Sequence, residues 1–169
     1  RENAEQRVYG MIGDLKHMKE RKPELIIGLC GCMAQEEKTV EKIRRTYKQV
    51  DLIFGTHALS ELPRLLYEVL NERKFVYDTD EYDVSSSEIE PVRSCSFKAS
   101  VPIMYGCNNF CSYCIVPYVR GREKSRAAED IIAEVKKLAK SGCKEIMLLG
   151  QNVNSYGKNL ETPVSFAEQ

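Results

Sequence analysis

The stretch ASVPIMYGCNNFCSYC, Ala99 to Cys114, joins an apolar run to a loop carrying three of the chain's seven cysteines within eight positions. The run Ala99 to Gly106 reads as a strand that leads straight into the cysteine loop. After the loop, AAEDIIAEVKKLAKSG reads as a helix with Ile131, Ile132, Val135, Leu138 and Ala139 facing inward and Gly142 capping its end. EIMLLG, residues 145–150, is the next strand. Strand, loaded loop, helix, strand is the opening of a parallel β/α barrel, in which chemistry sits at the C-terminal ends of the strands. Both the cysteine loop and GQNVNSYG, residues 150–157, fall at such ends.

Upstream, helices alternate with short apolar strands. LIIGLC (25–30), VDLIFG (50–55) and FVYD (75–78) read as strands, the first of them buried. Between them, EEKTVEKIRRTYKQ (36–49) reads as a helix with Val40, Ile43 and Tyr47 on its inner face. Ser60 is a candidate N-cap for ELPRLLYEVLNER, whose stripe is Leu62, Leu65, Leu66, Val69 and Leu70 and whose Pro63 is tolerated in the first turn. At the start of the chain Val8, Met11, Ile12, Leu15 and Met18 fall at helical spacing. The alternation predicts an α/β domain with a parallel sheet over residues 1–78. DTDEYDVSSSEIEPVRSCS, acidic, serine-rich and without period, predicts a linker over 79–97, and the barrel start occupies 98–169. The chain opens on Arg1 and stops at Gln169 soon after a strand and its loop, so the reading is of a piece in which both architectures are incomplete.

Composition narrows the function classes. With 43% apolar residues and no run near the ~18–20 needed for a membrane span, the expectation is a soluble, cytoplasmic protein. Seven cysteines are too few for a disulfide scaffold, and an odd number leaves one unpaired, so clustered thiols point to metal or redox work. The 25 basic and 25 acidic residues give no surplus for binding phosphate backbones. Positive charge concentrates only in RGREKSR, where Arg120, Arg122, Lys124 and Arg126 surround Glu123 on the rim of the cysteine loop.

Three thiolates on one short loop suit an iron–sulfur cluster that leaves one iron open. A structural zinc site, the rival reading, needs a fourth protein ligand, and none is well placed; His17 and His57 read as ordinary histidines of the first domain. Cys30, Cys95 and Cys143 read as thiols without a ligand role, Cys30 buried in its strand.

CNNFCSYC has the Cys-x3-Cys-x2-Cys pattern of the radical S-adenosylmethionine enzymes, with the aromatic Tyr113 before the last cysteine. GCNNFCSYCIVPYVRGREKSR and LLGQNVNSYG resemble the tRNA methylthiotransferases, and RENAEQRVYG, GLCGCMAQ and DLIFGTHAL resemble that family's N-terminal domain. GQNVNSYG is most like the MiaB-type branch, which acts on N6-dimethylallyl-adenosine; other branches act on threonylcarbamoyl-adenosine or on an aspartate of a ribosomal protein. The resemblance implies that Cys107, Cys111 and Cys114 hold a [4Fe–4S] cluster whose open iron binds S-adenosylmethionine, cleaved on reduction to a 5′-deoxyadenosyl radical. It implies that the backbone around Tyr113 contacts the adenine and that Gln151 and Asn152 bind the methionine end. It makes Cys32 one of three ligands of a second, auxiliary [4Fe–4S] cluster, the other two lying upstream of Arg1. The implied partners are a tRNA anticodon arm, an electron donor such as flavodoxin or ferredoxin, and a sulfur source.

Overall fold

The computed structural model describes residues 2–82, 91–93 and 97–168. It divides into two compact units, 1–84 and 85–169. Cys95 and most of the expected linker lie outside the described residues. No helix among the described residues is long and apolar enough to cross a membrane.

The first unit is built on three parallel strands in the order β1 (Gly28–Cys30), β2 (Leu52–Phe54), β3 (Val76–Asp78). Successive side chains of a strand point to opposite faces. On β2, Ile53 therefore packs on one side with Tyr9, Ile12, Val40 and Ile43, while Leu52 and Phe54 pack on the other with Leu65 and Val69. Helices α1 (Glu2–Arg21) and α2 (Glu37–Thr46) supply the first of these layers and α3 (Leu62–Glu72) the second. This is the covering on both faces that parallel sheets require. Lys19 of α1 pairs with Asp51, whose Oδ2 also accepts the Ile27 N–H at 2.8 Å, which ties the helix to the start of the sheet.

Several sequence expectations need correction. Met11, Met18 and Leu70 are exposed, because the helices bury a narrower stripe than their apolar content suggests. Ser60 does not cap α3: the flanking residue is Glu61, without a side-chain cap bond, and Pro63 sits in the first turn. Cys30 is exposed rather than buried, since β1 is a sheet edge with Leu29 turned to the core and Gly28 and Cys30 to the other side. Partial desolvation still pushes the Cys30 thiol pKa up.

The expected linker does not begin cleanly after Asp78. The buried Asp78 carboxylate accepts from Arg64 Nη2 at 2.6 Å and from the Tyr82 hydroxyl at 2.9 Å, so residues up to 82 belong to the first unit's packing. The hydrogen bond to Asp78 holds the Tyr82 phenol above its ordinary pKa.

The second unit pairs β4 (Lys98–Pro102) in parallel with β7 (Glu145–Leu149), with α5 (Ala128–Lys140) packed across them through Ile131, Val135 and Leu138. Ile132 and Ala139 face solvent instead of the sheet. Gly142, at φ +95°, closes α5: its N–H bonds the Ala139 carbonyl and the Cys143 N–H bonds that of Leu138. Glu134 on α5 is gripped by Arg126 at 2.9 Å and Arg93 at 2.7 Å, both largely buried. Arg126 also bonds the Pro102 carbonyl, so it belongs to the scaffold and not to the basic rim.

Candidate metal centre

The apolar run that opens the second unit does not continue as one strand. After Pro102 it breaks, and Met104–Tyr105 forms a short strand β5 that pairs antiparallel with β6 (Lys124–Ser125). The cysteine loop is the excursion between these two strands, and it includes the short helix α4 (Val116–Val119). Pairing of Tyr105 with Lys124 closes the loop at its base.

Gly106 makes the first bend. Its φ is +67°, and a Cβ there would lie 2.1 Å from the Arg122 carbonyl oxygen, so only glycine admits the two limbs of the loop this close. Cys107 follows, buried, its N–H donating to the Gly121 carbonyl at 3.3 Å. Asn108 Oδ1 accepts the Glu123 N–H at 3.1 Å. Phe110 makes the second bend at φ +47°. Cys111 is exposed and Cys114 half-buried; the Cys114 N–H donates to the Cys111 carbonyl at 2.9 Å. Tyr113 is 91% exposed.

The loop after β7 is stitched to the base of the cysteine loop. Asn159 accepts from the Ser125 N–H and donates to the Glu123 carbonyl, the Gly157 N–H donates to Ser125 Oγ, and the buried Tyr156 hydroxyl donates to the Arg126 carbonyl. Gly157, at φ +80°, has no room for a Cβ against the Val164 carbonyl. Gln151, at the start of this loop, is exposed. Asn152 donates its amide to Ser155 Oγ at 2.5 Å, inside its own turn, which leaves its Oδ1 as the group able to serve a ligand.

The three thiols share a loop but do not meet at one point: among the described residues no group of three Cys, His, Asp or Glu side chains is close enough to hold a metal ion. The donor set nevertheless fits a four-iron cluster with an open iron. The loop's ends are fixed, its backbone limbs approach through Gly106, and all three thiols lie on that one short loop, Cys111 exposed and Cys114 half-buried. A four-ligand zinc site is poorly served. Cys143 sits before the N-terminal end of β7, a strand's length from the loop, with its thiol on the Phe97 and Glu145 carbonyls. His17 is exposed and bonded to Glu20.

In the first unit, Cys32 lies exposed on the loop after β1. Gln35 clamps that loop over the C-terminal ends of the sheet: its Nε2 donates to the Thr79 carbonyl at 2.6 Å. Its buried Oε1 has no hydrogen-bond partner, but it stands 1.8 Å from where a Cβ on Gly55 would be. The absence of a side chain at Gly55 is thus what gives the Gln35 amide its place. Gly55→Ala should therefore cost about 1–3 kcal/mol by expelling Gln35 from its bond. Gly28→Ala, whose Cβ would meet nothing nearer than 3.7 Å, should be close to neutral; denaturant unfolding of both variants checks the contrast.

Sequence reasoning found the cysteines but missed Gly106, Asn108, Asn159 and Gln35, which fix the loops. Glycines flanking cysteines were the available signal for Gly106. Nothing local marked Gln35 and Asn159, which act across 44 and 36 residues.

Residues 101–162 match the model of the radical SAM superfamily, and residues 1–55 match that of uncharacterized protein family UPF0004. With the cysteine loop at a strand end, the second unit is thus of the radical SAM class. Over 99% of its length the chain is 58% identical to the tRNA-2-methylthio-N(6)-dimethylallyladenosine synthase of Clostridioides difficile (strain 630), covering 35% of that protein. It is 56% identical to the enzymes of the same name from Lachnoclostridium phytofermentans and from Thermoanaerobacter sp. (strain X514), covering 37% and 36% of them. The chain belongs to the radical SAM methylthiotransferase family that these proteins represent, and it spans about a third of the length of the curated relatives it matches.

Proposed function

We propose that the chain carries the radical-forming centre of a tRNA methylthiotransferase acting on N6-dimethylallyl-adenosine beside the anticodon. The observation that carries this reading is the Cys107, Cys111, Cys114 loop, fixed at a strand end in a chain so close to synthases of that name. In this reading the three thiolates hold a [4Fe–4S] cluster, which when loaded supplies one-electron cleavage of S-adenosylmethionine and hydrogen abstraction from the base. The chain's own residues orient the cofactor. The backbone at Tyr113 takes the adenine edge, and Gln151 with Asn152 Oδ1 takes the methionine end, brought to the loop by the Asn159 and Gly157 stitches.

Cys32 is assigned to an auxiliary [4Fe–4S] cluster that delivers sulfur, its loop held by Gln35. Arg120, Arg122 and Lys124 form the exposed rim offered to phosphates of the anticodon arm, Arg126 being engaged with Glu134. An electron donor such as flavodoxin or ferredoxin and a separate sulfur source complete the set, and the reaction is placed in the cytoplasm. Residues 79–97 are proposed as the connection between units, its first residues to Tyr82 packed back on the first unit, with 1–78 and 98–169 as the domains.

The whole protein, supplied with tRNA bearing either dimethylallyl- or threonylcarbamoyl-adenosine, should methylthiolate only the first, as read by nucleoside mass spectrometry. Product from the second substrate alone would move the protein to the other tRNA branch. The 169-residue chain by itself should give no methylthiolated product, because Cys32 alone cannot hold the auxiliary cluster.

A further inference from the structure

The second bend of the cysteine loop is made by the wrong kind of residue. A left-handed backbone suits glycine or asparagine, and a bulky side chain there is an outlier that its surroundings must repay. Two asparagines, Asn108 and Asn109, stand beside the bend, yet Phe110 occupies it at φ +47°.

The surroundings of the ring account for this. Tyr118 of α4 meets the Phe110 ring edge-on, with centroids 5.7 Å apart and planes at 88°. Arg122, two residues before β6, places its guanidinium 4.5 Å over the ring. Edge-to-face pairs and guanidinium–ring contacts are each attractive on the scale of the backbone penalty. The ring therefore links the bend between Cys107 and Cys111 to both later parts of the loop, the helix and the returning limb. It is 38% exposed, so its inner side is held and its outer side is free.

We infer that Phe110 is a positioning residue for the cysteine loop: its ring, held between Tyr118 and Arg122, fixes the left-handed bend that sets Cys107 and Cys111 relative to one another. This rests on the reading of those cysteines as cluster ligands only for its effect on iron; the bracing of the loop is a property of the polypeptide itself.

The test uses the whole protein. In the iron-free, reduced form, the alkylation rate of each cysteine by iodoacetamide is read by peptide mass spectrometry, with the buried Cys143 as internal control. Loss of both ring contacts is worth about tenfold in the population of the held loop. Phe110→Ala should therefore speed alkylation of the buried Cys107 by about that factor, leaving Cys143 slow. Phe110→Tyr, which keeps face and edge, should restore the parent rate, and Arg122→Met should give a smaller increase. In the reconstituted protein, Phe110→Ala should lose iron to a chelator about ten times faster than the parent.

Unchanged Cys107 reactivity in Phe110→Ala would overturn the inference. So would a Phe110→Tyr variant as reactive as the alanine variant. If Phe110→Ala exposes Cys143 as well, the chain has unfolded and Arg122→Met decides: a faster Cys107 with a slow Cys143 supports the brace, and no change refutes it. A parent that takes up no iron while Phe110→Ala still exposes Cys107 would refute the cluster assignment and leave the brace standing.

Discussion

Cys111→Ala in the whole protein should remove the iron of the loop and abolish cleavage of S-adenosylmethionine, while Cys143→Ala should leave both nearly intact. A cubane that keeps one iron open needs all three thiolates of the loop, and two cannot retain it. Cys143 is as buried as Cys107 but lies at the opposite end of β7, its thiol spent on weak bonds to two carbonyls. Its loss should cost only about 1 kcal/mol, typical of a small buried substitution. Iron analysis and assay for 5′-deoxyadenosine separate the two variants. Equal losses would mean that the ligands are misassigned.

Gly106→Ala should be nearly as damaging without touching a thiol. The φ of +67° alone costs an L residue about 1–2 kcal/mol. The new Cβ would also lie 2.1 Å from the Arg122 carbonyl oxygen and 2.6 Å from that of Gly121. Both atoms are backbone, so the limbs of the loop must part and the Cys107 N–H must leave Gly121. A loss of at least about 3 kcal/mol, with failure to retain iron, is expected. Gly142→Ala is the control. It shares the left-handed backbone at φ +95°, but nothing lies within 4 Å of the added carbon, so only the conformational cost of about 1–2 kcal/mol should remain. Thermal melts and iron content of the pair would show whether close approach or backbone angle is what the loop requires.

These contrasts mark where the sequence was legible. Alternation of apolar strands and striped helices is a local signal, and it located α1, α2, α3, α5 and the strands of both parallel sheets. It overestimated burial at Met11, Met18, Leu70, Ile132 and Ala139, because a helix packed on a small sheet buries only the side chains directly beneath it. Cys30 was misread because alternation within a three-residue edge strand cannot be judged from a continuous apolar run. The β5–β6 pairing was invisible for a different reason. Two residues on each strand carry no periodicity, and their partnership is set by Gly106 and by the side chains of Asn108 and Asn159 reaching across the chain. The cysteine spacing identified the site; the bonds that hold it are long-range, and no local pattern announces them.

The most direct measurement of the central claim is metal analysis of the whole protein prepared without air, beside a variant with Cys107, Cys111 and Cys114 all changed to alanine. If the loop holds a [4Fe–4S] cluster, the parent should be brown and should contain about four more irons per chain than the variant, with no matching difference in zinc. The electron paramagnetic resonance signal of its reduced cluster should shift on adding S-adenosylmethionine. A colourless parent whose only difference from the variant is about one zinc per chain, bound equally well in air, would contradict the account.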